Sequence, residues 1–143
     1  MFKNILVPYD EYECARRAFG YALDMAIRYS SALTVITCIH RIYGGHPYSD
    51  SREEEALFKL QRTDALKAIS KLEMKAKQSG IALRTTILEA ISVSDELLSY
   101  AKSHKIDLIV MGSRGLGGFK KLLQGSVATT VSQHAECPVL IVK

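Results

Sequence analysis

The residues best suited to chemistry are Gly112-Ser113-Arg114-Gly115 and, nine residues later, Gly125-Ser126. Met111 leads into them from an apolar run, Ile106-Asp107-Leu108-Ile109-Val110, that reads as a buried strand. Val127 follows them in an apolar-periodic segment that reads as a helix. A glycine-punctuated loop between a strand and a helix start is a place to hold a phosphate. Glycines let backbone N–H groups approach an anion, and the unpaired N–H groups of the first helical turn carry partial positive charge. Ser126 sits where an N-cap belongs, so its hydroxyl either caps the helix or donates to a phosphate oxygen. On these residues alone, a loop whose glycines serve only its turns is an equal alternative.

The spacing is neither of the common phosphate loops. Gly125 is followed by Ser126 and Val127 with no lysine, which excludes a Walker A loop. Gly112, Gly115 and Gly117-Gly118 do not fall into G-x-G-x-x-G, and they follow a fourth strand rather than opening the chain.

The positioning elements alternate along the chain. Phe2 to Pro8 reads as strand one. Apolar residues at 15, 18, 19, 22, 23, 26 and 27 give helix one. Leu33 to Ile39 is strand two, and His40 to Asp50 is a loop. Ser51 and Glu54 form a capping box for helix two. Leu57, Leu60, Leu66, Ile69 and Leu72 supply its apolar stripe, and Gly80 ends it. Ile81 to Leu88 is strand three. Ser94 caps helix three, whose Leu97, Leu98 and Ala101 face inward. Leu108 to Met111 is strand four, Ser126 to Ala135 helix four, and Val139 to Val142 strand five after Pro138.

This order predicts a single α/β domain over residues 1–143, with an open parallel sheet covered by helices on both faces. In such a sheet the ligand lies beyond the strand C-termini, where strand order reverses. If strands one and four are neighbours there, Pro8-Tyr9-Asp10 faces Met111-Gly112 across the crevice. The topology and the glycine loop then agree on a nucleotide site.

Composition sets the outer bounds. The 143 residues are 48% hydrophobic and 24% charged, with net charge +4, as expected of a soluble globular domain. Lys75 and Lys77 share their helix with Glu73, which reads as a solvated face rather than a nucleic-acid footprint. Met1-Phe2-Lys3-Asn4 leads at once into a strand, so no signal peptide is expected, and no run suits a bilayer span. Cytoplasmic residence is the resulting expectation. Cys14, Cys38 and Cys137 are odd in number and scattered, and His40, His46, His104 and His134 do not group with them. No protein metal site is expected, and Cys38 and Cys137 read as small buried hydrophobes.

The chain resembles the universal stress protein family over its whole length. The likeness rests on Gly112-x-x-Gly115-(nine residues)-Gly125-Ser126, on Asn4-Ile5-Leu6-Val7-Pro8 with Asp10, and on Cys137-Pro138-Val139-Leu140-Ile141-Val142. It implies a Rossmann-like five-stranded sheet in order 3-2-1-4-5, a homodimer and a bound ATP with Mg²⁺ or Mn²⁺ at its phosphates. By the same resemblance Asp10 lies near the adenosine, and the backbone at Cys38 meets adenine. Gly112 and Gly115 lie beside ribose and phosphates, and Gly125, Ser126 and Val127 hold the phosphates. Ser113 and Arg114 belong to the same motif, and Arg114 is the best placed cation to neutralise phosphate charge. One departure stands out: the family's small pair after the aspartate is here Glu11-Tyr12-Glu13. The added carboxylates either point to solvent, favouring the start of helix one, or crowd the phosphates; the intact glycines favour the first.

No catalytic residue is assigned. Asp10 has no positioned water-activating partner in the sequence, and no nucleophile motif is present. Of the adjacent Lys120 and Lys121, at least one is expected to be only solvated. Tyr9, Tyr12, Tyr43 and Tyr48 fit loop packing and base stacking equally well. Three readings follow: an ATP-, ADP- or AMP-binding regulatory dimer, a slow ATPase or adenylyl-handling enzyme, and a scaffold without nucleotide. In the implied order, strand five is an edge whose four apolar residues, Val139, Leu140, Ile141 and Val142, offer a template to a second copy. The sequence names no downstream partner and no stress.

Overall fold

A computed structural model of the protein describes residues 1–40, 51–115 and 125–143. The elements are β1 (Asn4–Pro8), α1 (Glu13–Tyr29), β2 (Ala32–His40), α2 (Ser51–Gln78), β3 (Leu83–Ala90), α3 (Val93–Ser103), β4 (Leu108–Gly112), α4 (Ser126–His134) and β5 (Val139–Val142). The strands form one parallel sheet in the order β3-β2-β1-β4-β5. The chain winds outward from β1 through β2 to β3, then returns to β4 on the other side of β1. The β1–β4 seam, with Ile5 opposite Leu108 and Leu6 opposite Ile109, is therefore the switch point.

Alternation along each strand fills two cores, because successive side chains point to opposite faces. Ile5, Val7, Leu33, Val35, Leu108, Val110 and Val142 are buried under α1 and α2. Leu6, Ile36, Ile109 and Met111 are buried with residues of α3 and α4 on the other face. At the far end of the switch, the Asp107 carboxylate accepts the N–H groups of Lys3 at 2.8 Å and Asn4 at 3.0 Å. This locks the starts of β1 and β4 side by side.

Several local expectations shift. Strand three lies two residues later than Ile81 to Leu88, because the close of α2 uses Gly80 and Ile81. Gly80 adopts φ +74°, its N–H bonds the Lys77 carbonyl, and the Ile81 N–H bonds the Ala76 carbonyl, a Schellman ending. Strands one, two and four begin or end one or two residues from their expected bounds, and α4 stops at His134, with Ala135 its cap. Ser51 is itself helical, within α2, rather than a cap before it.

The cap of α3 is Ser92, not Ser94: the Ser92 hydroxyl accepts the Asp95 N–H. The stripe of α2 is also half wrong, since Leu57, Leu60 and Leu66 are exposed while Ala65, Ala68, Ile69, Leu72 and Ala76 are buried. Leu66 lies off the buried face, which Ala65, Ala68 and Ile69 take, and length bears on the start of the helix. The 28-residue helix is about 42 Å long at 1.5 Å per residue. The nine-residue β2 it crosses spans only about 30 Å. About eight residues at its start therefore overhang the strand, the stretch that holds Leu57. Among the described residues no helix is long and apolar enough to cross a membrane.

Candidate functional site

The site is built where β1 and β4 end. Tyr9 prolongs β1 by one step: its N–H donates to the Ile36 carbonyl at 2.8 Å, and its carbonyl accepts the Thr37 hydroxyl at 3.0 Å. Its ring is buried edge-on to Phe19, with centroids 6.5 Å apart, so Tyr9 belongs to the core and only its backbone reaches the crevice. Met111 likewise sends its side chain into the α3–α4 core. Pro8 is half-buried at the end of β1.

Asp10 comes next and is open to solvent, but its carboxyl is turned inward. Oδ1 accepts the Tyr12 N–H at 3.2 Å. Oδ2 stands where a side chain at Gly115 would be, so any Cβ there collides with it. Desolvation in this position raises the Asp10 pKa above 3.8, against the lowering effect of backbone N–H bonds, and the charge of Glu11 adds to the rise. Asp10 and Gly115, both named in the expected site, thus lie against each other.

The motif glycines have separate reasons. Gly112 is a packing glycine: an added Cβ would lie 2.8 Å from the Cys14 Cβ and 3.0 Å from the Ala15 nitrogen, so α1 reaches β4 only because that atom is missing. Gly115 makes room for the Asp10 carboxylate. Gly125 caps α4 with extended backbone, φ −72° and ψ 160°, and no side chain caps the helix. Its N–H donates to the Ser113 carbonyl at 2.6 Å, and an added Cβ would sit 3.3 Å from that same oxygen.

Ser126 therefore does not cap α4; it is the first helical residue and is exposed. The reason is that Gly125, held to Ser113, already occupies the cap, which leaves the Ser126 hydroxyl free of that duty. Ser113 is 1% exposed. Its N–H donates to the Val142 carbonyl at 2.7 Å and its hydroxyl to the Cys14 sulfur at 3.8 Å, so it braces the site from within. Arg114 is exposed, and Val127 is half-buried.

Ser126 and Val127 line a cavity of ≈ 240 Å³ with His40, Ile91, Val93, Ser94 and Thr130 among the described residues. It lies between the end of β2 and the starts of α3 and α4. The sequence reading placed none of His40, Ile91, Val93 and Thr130 here, because only the parallel register brings the end of β2 beside the end of β3. Cys38 precedes His40 by two residues. It lies beyond the last β1–β2 pair, Pro8 with Ile36, at the crevice end of the strand. Cys38 is half-buried rather than buried, and desolvation, with a smaller effect of Glu96, pushes its thiol up to about 11. That thiol stays protonated and unreactive at neutral pH. Cys137, also half-buried, is raised by burial as well.

A larger cavity of ≈ 390 Å³ lies at the opposite end of the helices, bounded by Leu98, Lys102, Ile106, His134 and Cys137. Its lining lies away from the glycine motif, whereas Ser126 and Val127 of the smaller cavity directly follow Gly125, so the smaller crevice is the candidate. Among the described residues no three His, Cys, Asp or Glu come together as a metal site. The expected loop from 41 to 50, with Tyr43, His46 and Tyr48, and the span 116–124, with Lys120 and Lys121, lie outside the described residues.

The protein is 31% identical over 144 residues to universal stress protein MJ0531 of Methanocaldococcus jannaschii, covering 100% of this chain and 83% of that one. It is 34% identical over 145 residues to a universal stress protein of Thermus aquaticus, covering 100% of both. Its fold matches universal stress protein UspA from Lactobacillus plantarum with a TM-score of 0.91, at 28% identity over 99% of this chain and 98% of the other. Lower-identity matches in fold include a universal stress protein in complex with cAMP (22%, TM-score 0.67, 99% and 97% covered). Another is an Arabidopsis thaliana universal stress family protein with AMP bound (19%, TM-score 0.66, 99% and 91% covered). The model of the universal stress protein family matches residues 1–143, and the chain belongs to that family.

Proposed function

We propose that the protein is an adenine-nucleotide-binding regulatory dimer that holds ATP, ADP or AMP in the crevice between Asp10 and the start of α4. One observation carries this reading: Gly125 opens α4 without a side-chain cap and is pinned to Ser113. An uncapped helix start beside bare glycine backbone is a cradle for phosphate oxygens. The end of β2 at Cys38, beyond the β1 ladder, offers backbone groups for a purine edge. The nucleotides bound by the family members above support adenosine as the nucleoside.

A Mg²⁺ or Mn²⁺ ion would ride on the phosphate oxygens, with Asp10 as the nearest carboxylate and Arg114 as an exposed counter-charge. The output is a conformational or partner change that follows binding. Among the described residues no base with an orienting partner is aimed to activate water, so turnover is expected far below the roughly ten per second typical of enzymes. The dimer is proposed through β5, the sheet edge whose Leu140 remains 38% exposed.

The test is to denature purified protein and identify released small molecules by mass spectrometry, then titrate ATP, ADP and AMP calorimetrically. Wild type should bind and Gly115→Val should not, since its side chain displaces the Asp10 carboxylate. Equal affinity in the two would put the site elsewhere.

A further inference from the structure

Three non-glycine residues among those described have positive φ: Glu11, Ser30 and Lys105. Ser30 caps the end of α1, and Lys105 follows the cap of α3, places where a left-handed residue closes a helix. Glu11, at φ 67°, closes nothing. It stands between β1 and α1, directly after Asp10, and a glutamate has no short polar side chain to ease the left-handed state. Such a conformation persists only where its surroundings impose it.

Arg16 supplies the imposing contact. Its Nε donates to the Glu11 carbonyl at 2.7 Å. Its own backbone N–H bonds the Tyr12 carbonyl at 3.0 Å, so the side chain springs from the already fixed first turn of α1. Burial raises the Tyr9 pKa, and the nearby Arg16 guanidinium opposes that rise. Arg16 thus holds the strained turn after Asp10, and its charge also acts on the buried Tyr9 before it. With the turn held, Oδ1 of Asp10 meets the Tyr12 N–H and Oδ2 faces Gly115.

We propose that Arg16 is a positioning residue of the nucleotide site, holding the left-handed turn at Glu11 so that the Asp10 carboxyl stands over Gly115. This rests on the nucleotide reading above. Arg16 touches no ligand itself; it acts through Glu11 and Asp10. A glycine at 11 would adopt the same φ without help.

The experiment compares wild type, Arg16→Gln, Arg16→Lys and the double variant Arg16→Gln/Glu11→Gly. AMP and ATP affinities are measured by calorimetry, Tyr12 amide exchange by NMR, and folding by thermal unfolding. Loss of one charge-assisted hydrogen bond at an exposed site should weaken binding by about fivefold in Arg16→Gln and speed Tyr12 exchange. Arg16→Lys should fall between it and wild type, lacking the guanidinium fork. The double variant should return to within about twofold of wild type, because the glycine no longer needs the grip. A purely structural role through Tyr9 would not be rescued by a glycine at 11. Wild-type affinity and exchange in Arg16→Gln, or a loss that the double variant fails to recover, overturns the assignment. Failure of the wild-type chain to bind either nucleotide overturns the nucleotide reading, and this assignment with it.

Discussion

The backbone N–H of Gly125 donates to the Ser113 carbonyl at 2.6 Å, which ties the exit of β4 to the entrance of α4. Because Gly125 has φ −72°, any residue can adopt its backbone, and the constraint on it is contact alone. Gly125→Ala would set a methyl 3.3 Å from the Ser113 oxygen and force the two segments slightly apart. Calorimetry should find nucleotide affinity lowered by about tenfold. Urea unfolding should find stability lowered by about 1 kcal/mol or less.

Gly112→Ala should behave in the opposite way, as a folding variant. Its methyl would meet the Cys14 Cβ at 2.8 Å and backbone of α1 at 3.0 Å. Overpacking of this kind costs about 1–3 kcal/mol, and urea denaturation would read it directly. Cys14→Ala should not rescue the variant, because alanine keeps the offending Cβ.

Asp10 predicts a pH dependence with a definite sign. Its folded pKa is raised above the 3.8 of the unfolded chain, so the folded state holds the proton more tightly. The stability this contributes is complete below pH 3.8 and is lost as pH rises through the folded pKa. Asp10→Asn keeps an acceptor for the Tyr12 N–H and carries no charge. It should therefore gain on wild type as pH rises from 3 to 7, and the two should converge at the acid end. Denaturation midpoints against pH would check this; a growing deficit in the variant would refute it.

The parallel sheet is legible because fully buried strands such as Ile5-Leu6-Val7 and Leu108-Ile109-Val110 read as uninterrupted apolar runs, whereas its order comes from the family resemblance. The glycine motif was legible too, but the purpose of each glycine was not. That Gly112 yields to Cys14 and Gly115 to Asp10 depends on contacts across about a hundred residues of sequence. The caps failed for a related reason. Ser92 and Ser94 both suit a helix start, as do Gly125 and Ser126, and the tie between Ser113 and Gly125 decides the second pair. Leu57 carried the right helical period, but period does not say where the sheet beneath the helix ends.

At the sheet edge, Ile141→Lys should convert a dimer to a monomer while leaving the crevice formed. Ile141 is half-buried on β5, and its strand pairs only with β4 among the described strands. Light scattering at micromolar concentration is the measurement. A monomeric wild type, or dimers indifferent to the lysine, would dismiss β5 as the interface.

The two cores give the crevice a mechanical property. Asp10 leads into α1, whose apolar face belongs to one core, whereas Ala128 and Val131 anchor α4 in the other. A ligand gripped from both ends is a strut between two halves otherwise joined through the sheet and through Ser113, which bonds both Cys14 of α1 and Gly125. Occupancy would then register as slowed amide exchange in α1 and α4 together. A loosening of either half would eject the ligand, so the crevice would report the integrity of the whole molecule rather than of its own lining.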